Sequence, residues 1–239
     1  MPHTLFVIHG SHPCATVERA FDLKHVPFRR IELPPAVHVP VQRAIFGGRT
    51  VPALRIDGGG RVQGSRAIVR WLERTAPDPP LLPADPDARA AVEAAEAWGD
   101  ETYQPIPRRL LWTAFAASPR SMPSYQEGGR MPLPTPLVLA LAPVMTRIEQ
   151  RLNVATRARV REDLQALPGH LDRIDAWIAD GVLGGEHPNA ADLQIATSTR
   201  LLTTLDDLAP LLADRPAREH ALRLFPRWAG RVPAGALVV

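Results

Sequence analysis

The chain has 239 residues, 45% of them hydrophobic and 22% charged, with a formal net charge of +3. That length allows one or two domains with a sizeable core, while the small, scattered positive charge excludes a nucleic-acid footprint. Arginine supplies every basic residue except Lys24, a skew that with the abundant alanine and proline reflects a GC-rich coding sequence rather than a basic function. The single cysteine, Cys14, excludes an internal disulfide and fits a reducing compartment. The longest uncharged run, 131–146, is interrupted by Pro132, Pro134, Pro136 and Pro143, and falls short of the ~20 apolar residues of a membrane span. The amino terminus enters a strand with no basic and apolar leader. A cytoplasmic protein without membrane or nucleic-acid partners is expected.

Leu5–Ile8 is a continuous apolar run, as in a strand buried on both faces. The turn Ser11-His12-Pro13-Cys14 then starts a helix with Cys14, Val17 and Phe21 on one face and Glu18, Arg19 and Asp22 on the other. Phe28–Leu33 reads as a second strand, ended by Pro34-Pro35, and 38–46 as a short irregular helix stopped by Gly47-Gly48. Arg49-Thr50-Val51-Pro52-Ala53-Leu54 precedes 55–63, read as a strand, a glycine turn and a second strand. Pro52 cannot donate to a ladder and belongs at a strand's start or edge. Ser65 reads as the N-cap of a third helix whose inward stripe is Ile68, Trp71 and Leu72.

The proline-rich stretch 76–87 is a linker by composition. It divides the chain into a first domain, 1–83, and a second, 88–239, whose pattern is wholly helical. A long helix is expected over 88–117, broken or kinked by Pro105 and Pro107. Residues 118–136, rich in Pro, Gly and Ser, read as a mobile loop. Helices are expected at 137–152, 155–167, 170–180, 190–202 and 217–225, with an extended tail from Arg227. Asn189 and Asp192 form a capping-box variant ahead of the apolar helix at 190.

The element order of the first domain is β-α-β-α-β-β-α, the thioredoxin pattern. The chain resembles the glutathione transferase superfamily. The likeness is carried by Ser11-x-x-Cys14, by Thr50-Val51-Pro52-Ala53-Leu54, by Ser65-Arg66-Ala67-Ile68 ahead of Trp71-Leu72, and by Asn189-Ala190-Ala191-Asp192. It implies an α/β thioredoxin-like domain followed by an all-α bundle, assembled as a homodimer. It also implies glutathione, or another low-molecular-weight thiol, as co-substrate, activated for attack on an apolar electrophile in detoxification. The alternative is a non-catalytic module that holds a hydrophobic ligand or protein partner in the same fold.

Ser11 occupies the place where serine-type members of this family hydrogen-bond the glutathione sulfur; a hydroxyl donor there favours thiolate over thiol. Its other reading is a helix cap. Dithiol exchange needs two thiols, so Cys14 cannot perform it alone, and its apolar face points to a buried, inert group. By resemblance the Val51–Pro52 bond is cis and presents the Val51 backbone to the ligand, while Ser65 takes the γ-glutamyl carboxylate. Gly64 stands where most relatives carry Glu or Gln, leaving the ligand's amine to Asp100 or Glu101, from this chain or its partner. Trp98, Tyr103, Arg108 and Trp112 are candidates for the electrophile pocket, and equally for core packing and helix surface. His9, His12 and Cys14 lack a fourth ligand, so no metal is expected.

Overall fold

The computed structural model describes residues 2–35 and 37–237. Its first domain is a four-stranded sheet of β1 (His3–Val7), β2 (Phe28–Glu32), β3 (Ala53–Arg55) and β4 (Arg61–Gln63), in the order β2-β1-β3-β4. β1 runs parallel to β2, with Leu5 opposite Arg30, and antiparallel to β3, with Leu5 opposite Leu54. Leu5, Val7 and Leu54 are fully buried, as the unbroken apolar run of a central strand requires. Helices α1 (His12–Leu23), α2 (His38–Phe46) and α3 (Ser65–Thr75) complete the domain. On α1, Cys14, Val17 and Phe21 are buried together with Thr16 and Ala20. The Val51–Pro52 bond is cis, and the Pro52 carbonyl accepts the Gly64 N–H at 2.9 Å, joining the turn before β3 to the start of α3.

The second domain is all-helical. Its first long element is divided into α4 (Pro86–Trp98), one π turn (Gly99–Tyr103) and α5 (Pro105–Ala117). Pro105 and Pro107 sit in the first turn of α5, where a missing N–H costs little. They therefore start a helix instead of kinking one. The stretch expected to be a loop holds a 3₁₀ helix, Pro119–Gln126, and α6 begins at Thr135 and runs to Leu152. The two helices expected at 155–167 and 170–180 are one, α7 (Arg157–Ala179), with Pro168 inside it. Pro168 forfeits one helix bond, but fully buried Leu167, Leu171 and Ile174 continue a single apolar stripe across it.

At the centre lies α8 (Ala190–Leu202), buried along almost its whole length and packed on α1, α4, α5 and the later α10 (Pro216–Leu224). A short α9, Ala209–Leu212, precedes α10. Thr16 of α1 meets Thr197 of α8 at 2.8 Å, one of the ties between the domains. Beyond α10 the chain is extended, as expected, yet it is not free: Val232 bridges Leu205, and Val232, Ala236 and Leu237 are buried. Among the described residues no helix is long and apolar enough to cross a membrane.

The start of α8 is held by a reciprocal capping box. The Asp192 N–H donates to the Asn189 side chain at 3.0 Å, and the Asp192 carboxylate accepts the Asn189 and Gly184 N–H groups, each at 2.8 Å. Asp192 is fully buried, so Asp192→Ala deprives the half-buried Asn189 and Gly184 N–H groups of their acceptor, and also buried His220, whose Nε2 lies 2.9 Å from Oδ1. The expected loss is about 3 kcal/mol, against about 1 kcal/mol for Asp85→Ala at the exposed cap of α4. Urea unfolding of the two variants measures the difference.

Candidate active site

Between the domains lies a cleft of about 450 Å³. Three backbone features of the thioredoxin-like domain converge on it: the turn before α1, the Thr50-Val51-Pro52 turn, and the start of α3 at Gly64-Ser65. Helix starts present free N–H groups and a partial positive charge, so this wall favours anionic ligand groups. The opposite wall, from α5, the 3₁₀ helix and α6, is largely apolar: Leu111, Trp112, Phe115, Met122, Tyr125 and Val138 line it, beside the polar Arg108, Gln126 and Glu149.

Ser11 lines the cleft at the N-cap position of α1, but its hydroxyl makes no cap bond. It lies beside the Cys14 thiol instead, where it favours the anion; burial outweighs it and pushes Cys14 up to about 12. Cys14 is 1% exposed and does not line the cleft. Val51, Pro52, Gly64 and Ser65 all line it. Ser65 is buried, and its hydroxyl accepts from Gln104 Nε2 at 3.3 Å. Gly64 has φ of +97°, a left-handed conformation in which a side chain is strained.

Of the two acids considered for the ligand's amine, the cleft separates them. Asp100 lines it, and its Oδ1 accepts from Gln104 Nε2 and Gln194 Nε2, both at 3.1 Å. Burial raises its pKa. Glu101 points outward, 68% exposed, and pairs with Arg66 at 3.1 Å.

The four aromatic and basic candidates of the long helix also divide. Arg108 and Trp112 line the cleft; Trp98 and Tyr103 do not. Tyr103 is fully buried on the far side, its hydroxyl 3.1 Å from Thr199 Oγ1, and it stacks on Trp98 with centroids 5.2 Å apart. Trp98 in turn meets Trp177 and lies under Arg173. These two rings hold the bundle together and have no face toward the cleft.

Gln104 and His38, not singled out in the sequence, complete the site together with His12, considered there only as a metal ligand. Gln104 precedes Pro105, and its side-chain amide and its carbonyl are all engaged. His12 is buried, and its Nε2–H donates to the Gln104 carbonyl at 3.0 Å; desolvation and the Arg108 charge lower its pKa to about 3. His38 on α2 lines the cleft with its Nδ1 unpartnered among the described residues. Desolvation and Arg108 lower it to about 4. Both imidazoles are therefore neutral near pH 7. Arg108 donates to two neutral oxygens, Gln104 Oε1 at 2.9 Å and Asn153 Oδ1 at 3.4 Å. Its own pKa is lowered by burial, and Cys14, Glu149 and Asp100 lie within electrostatic reach. Among the described residues no group of three or more His, Cys, Asp or Glu is placed to hold a metal.

The sequence model of the family described as "Glutathione S-transferase, N-terminal domain" matches residues 5–80. Residues 5–80 are thus similar to a glutathione S-transferase N-terminal domain, and the whole chain has the glutathione transferase fold. Among solved structures, a glutathione S-transferase of Methylobacterium radiotolerans in complex with glutathione sulfonate is 25% identical. It covers 92% of this chain and 94% of its own, with a TM-score of 0.52. Poplar glutathione transferase F1 has a TM-score of 0.63 at 18% identity, covering 93% of this chain and 91% of its own. In sequence, the chain is 38% identical over 100 residues to a maleylpyruvate isomerase of Ralstonia sp, and 57% identical over 44 residues to the maleylacetoacetate isomerase of Mus musculus. Those matches span 44% and 20% of the two relatives' lengths, and 38% and 18% of this chain.

A thiol at about 12 stays protonated through the neutral range, so native Cys14 is inert. The folded protein should leave 5,5′-dithiobis(2-nitrobenzoate) unreacted at pH 8, and release one equivalent of chromophore only after denaturant is added. Prompt labelling of the native state contradicts this.

Proposed function

We propose that the chain activates a low-molecular-weight thiol, glutathione in the first instance, for attack on an apolar electrophile. The observation that carries this reading is the convergence of two helix starts and the Val51 turn on one wall of a cleft whose other wall is largely apolar. The thiol's sulfur belongs at the start of α1. There Ser11 donates a hydrogen bond to it, the helix end adds partial positive charge, and Arg108 supplies a full one. All three favour thiolate over thiol. Neutral His12 and His38 add hydrogen-bonding capacity without competing for charge. The α-carboxylate of the thiol's amino-acid end fits the free N–H groups and hydroxyl at Ser65, and the Val51 backbone pairs with the ligand's own amide. The apolar wall receives the electrophile, and the sulfur lone pair forms the new bond as the leaving group departs or the electrons move onto an acceptor carbonyl.

The names of the matched relatives favour a second reading within the same chemistry. Reversible addition of the thiolate to a conjugated alkene leaves a single bond free to rotate; expulsion of the thiolate then restores the alkene in its other geometry. The thiol is regenerated, and no oxidant or reductant enters. Both readings place Ser11 at the sulfur. Ser11→Ala is expected to lower kcat/KM for glutathione conjugation of 1-chloro-2,4-dinitrobenzene by about 10², the lower end for loss of an anion-stabilising donor. Cys14→Ala should keep turnover and lose stability. Were Cys14→Ala inactive and Ser11→Ala active, the chain's own thiol would be the nucleophile.

Asp100 is assigned the ligand's ammonium group, from the same subunit as the rest of the site. This removes the need for a side chain at position 64. Losing a charge-assisted hydrogen bond costs roughly 1.5–3 kcal/mol, so Asp100→Asn should weaken glutathione about 10–100-fold by calorimetry. Because burial raises the Asp100 pKa, its charge disappears as pH falls through a value above the ordinary carboxylate range. Wild-type affinity should decline in that window, and Asp100→Asn should flatten the profile. A profile identical in both would refute the assignment.

A further inference from the structure

We propose that the carboxy-terminal segment, 226–237, determines how large an acceptor the cleft takes, acting through the ring of Tyr125. The inference rests on the reading of the apolar wall as the acceptor half. Among the described residues none beyond Leu201 lines the cleft, so the segment acts from behind. Tyr125 is 7% exposed and lines the cleft. Its ring meets Phe115 edge-on, with centroids 4.9 Å apart at 88°. Its hydroxyl is 2.7 Å from Thr204 Oγ1. Behind it runs Gly230, with φ of +96°; a Cβ there would lie 2.4 Å from Cγ and Cδ1 of the ring and 2.5 Å from Cε1. The ring is thus closed in by Phe115, by Thr204 and by the Gly230 backbone, and the cleft is where it can yield.

The segment itself is pinned on both sides of Gly230. Upstream, Arg200 lies over Trp228 with its guanidinium 6.0 Å from the ring centroid. Downstream, the Arg231 N–H donates to Ser124 Oγ at 3.2 Å, and Val232 exchanges hydrogen bonds with Thr204 and Asp206 at 2.8 and 3.0 Å. The Asp207 carboxylate then accepts the N–H groups of Gly235, Ala236 and Leu237. A side chain at 230 therefore cannot be relieved by moving the segment away. Tyr125 gives way into the cleft, and the acceptor half shrinks while the thiol wall stays in place. Gly230 and Tyr125 are positioning residues for acceptor size.

The test compares Gly230→Ala, Tyr125→Ala and the double variant with wild type. Calorimetry reads two probes, 8-anilinonaphthalene-1-sulfonate for the apolar half and glutathione for the thiol half. Gly230→Ala should weaken the dye about tenfold, as for an overpacked site, with glutathione within about twofold. In the Tyr125→Ala background, which lacks Cγ and the whole ring, the same substitution should cost the dye less than about twofold. Equal weakening of both probes by Gly230→Ala, or an undiminished effect in the Tyr125→Ala background, overturns the proposal. If Gly230→Ala does not fold, Tyr125→Ala decides: it should bind the dye more tightly than wild type, and unchanged affinity overturns the proposal. A crystal structure of Gly230→Ala with the Tyr125 ring unmoved overturns it whatever the titrations give. A wild type that binds the dye and no glutathione would sink the thiol reading while leaving this one standing.

Discussion

The site depends on Gln104 more than on any other side chain. Its Nε2 donates to Ser65 and Asp100, its Oε1 accepts from Arg108, its carbonyl accepts from His12, and its N–H closes the π turn on Gly99. Three helices from two domains, α1, α3 and α5, are thereby tied to one residue. A buried amide with every group engaged is worth more than its separate bonds, because removing it strands several partners out of water at once. The π turn is what delivers it: its i→i+5 bonding inserts an extra residue ahead of Pro105, and Pro105, having no N–H to place, lets α5 restart in register with the cleft. Such single wide turns commonly mark functional positions.

That arrangement also fixes the charge of the cleft. Arg108, held by Gln104 and Asn153, stands in a half-buried position where its field is poorly screened. Its influence appears in the two imidazoles it faces, His12 and His38, both held neutral. The cleft around the α1 turn thus tolerates a new negative charge and opposes a new positive one. On the proposed reading that charge is a thiolate. Cys14 does not take that role: it sits behind the turn among Val17 and Phe21, where desolvation overrides the same favourable groups. Ser11, one helical turn earlier, lies at the cleft surface, and on the proposed reading it is the group that reaches the ligand.

Much of the fold was legible because local and global preferences agree in it. The apolar Leu5–Ile8 run, the Val51-Pro52 turn, the alternation of strand and helix in the first domain, and the Asn189/Asp192 box all carry their structural role in residue type. The errors have physical causes. Pro168-Gly169 is a strong local stop signal, overridden by the apolar stripe of Leu167, Leu171 and Ile174 that spans it. Trp98 and Tyr103 were plausible cleft residues by size and aromaticity, but the cleft stripe runs through Gln104, Arg108, Leu111, Trp112 and Phe115, at helical spacing. Tyr103 is off that stripe by one position, which turns it to the opposite face. Periodicity counted from Trp112 would have rejected Tyr103 and found Gln104; the π turn that carries Trp98 away has no signature in sequence. Gly230 was invisible for a different reason: its role lies in what its missing side chain would strike.

The two halves of the cleft are built from different forces, and on the proposed reading this sets what each can discriminate. The thiol wall uses directional groups: the Val51 backbone, the Ser65 hydroxyl, helix N–H groups and the Asp100 carboxylate. A ligand lacking a matching partner leaves such groups unpaired, and sites of this type can reject it by as much as 10⁴–10⁵. The acceptor wall offers Leu111, Trp112, Phe115, Met122 and Val138, whose contacts have no direction. One methylene more or less in such a pocket changes selectivity only about 10–200-fold. Methionine at 122, 131 and 145 makes this half still more adaptable. The site should therefore be exacting toward its thiol and tolerant of its electrophile. The rigid limit on that tolerance is the Tyr125 ring, fixed from behind by backbone and not by a side chain that could repack.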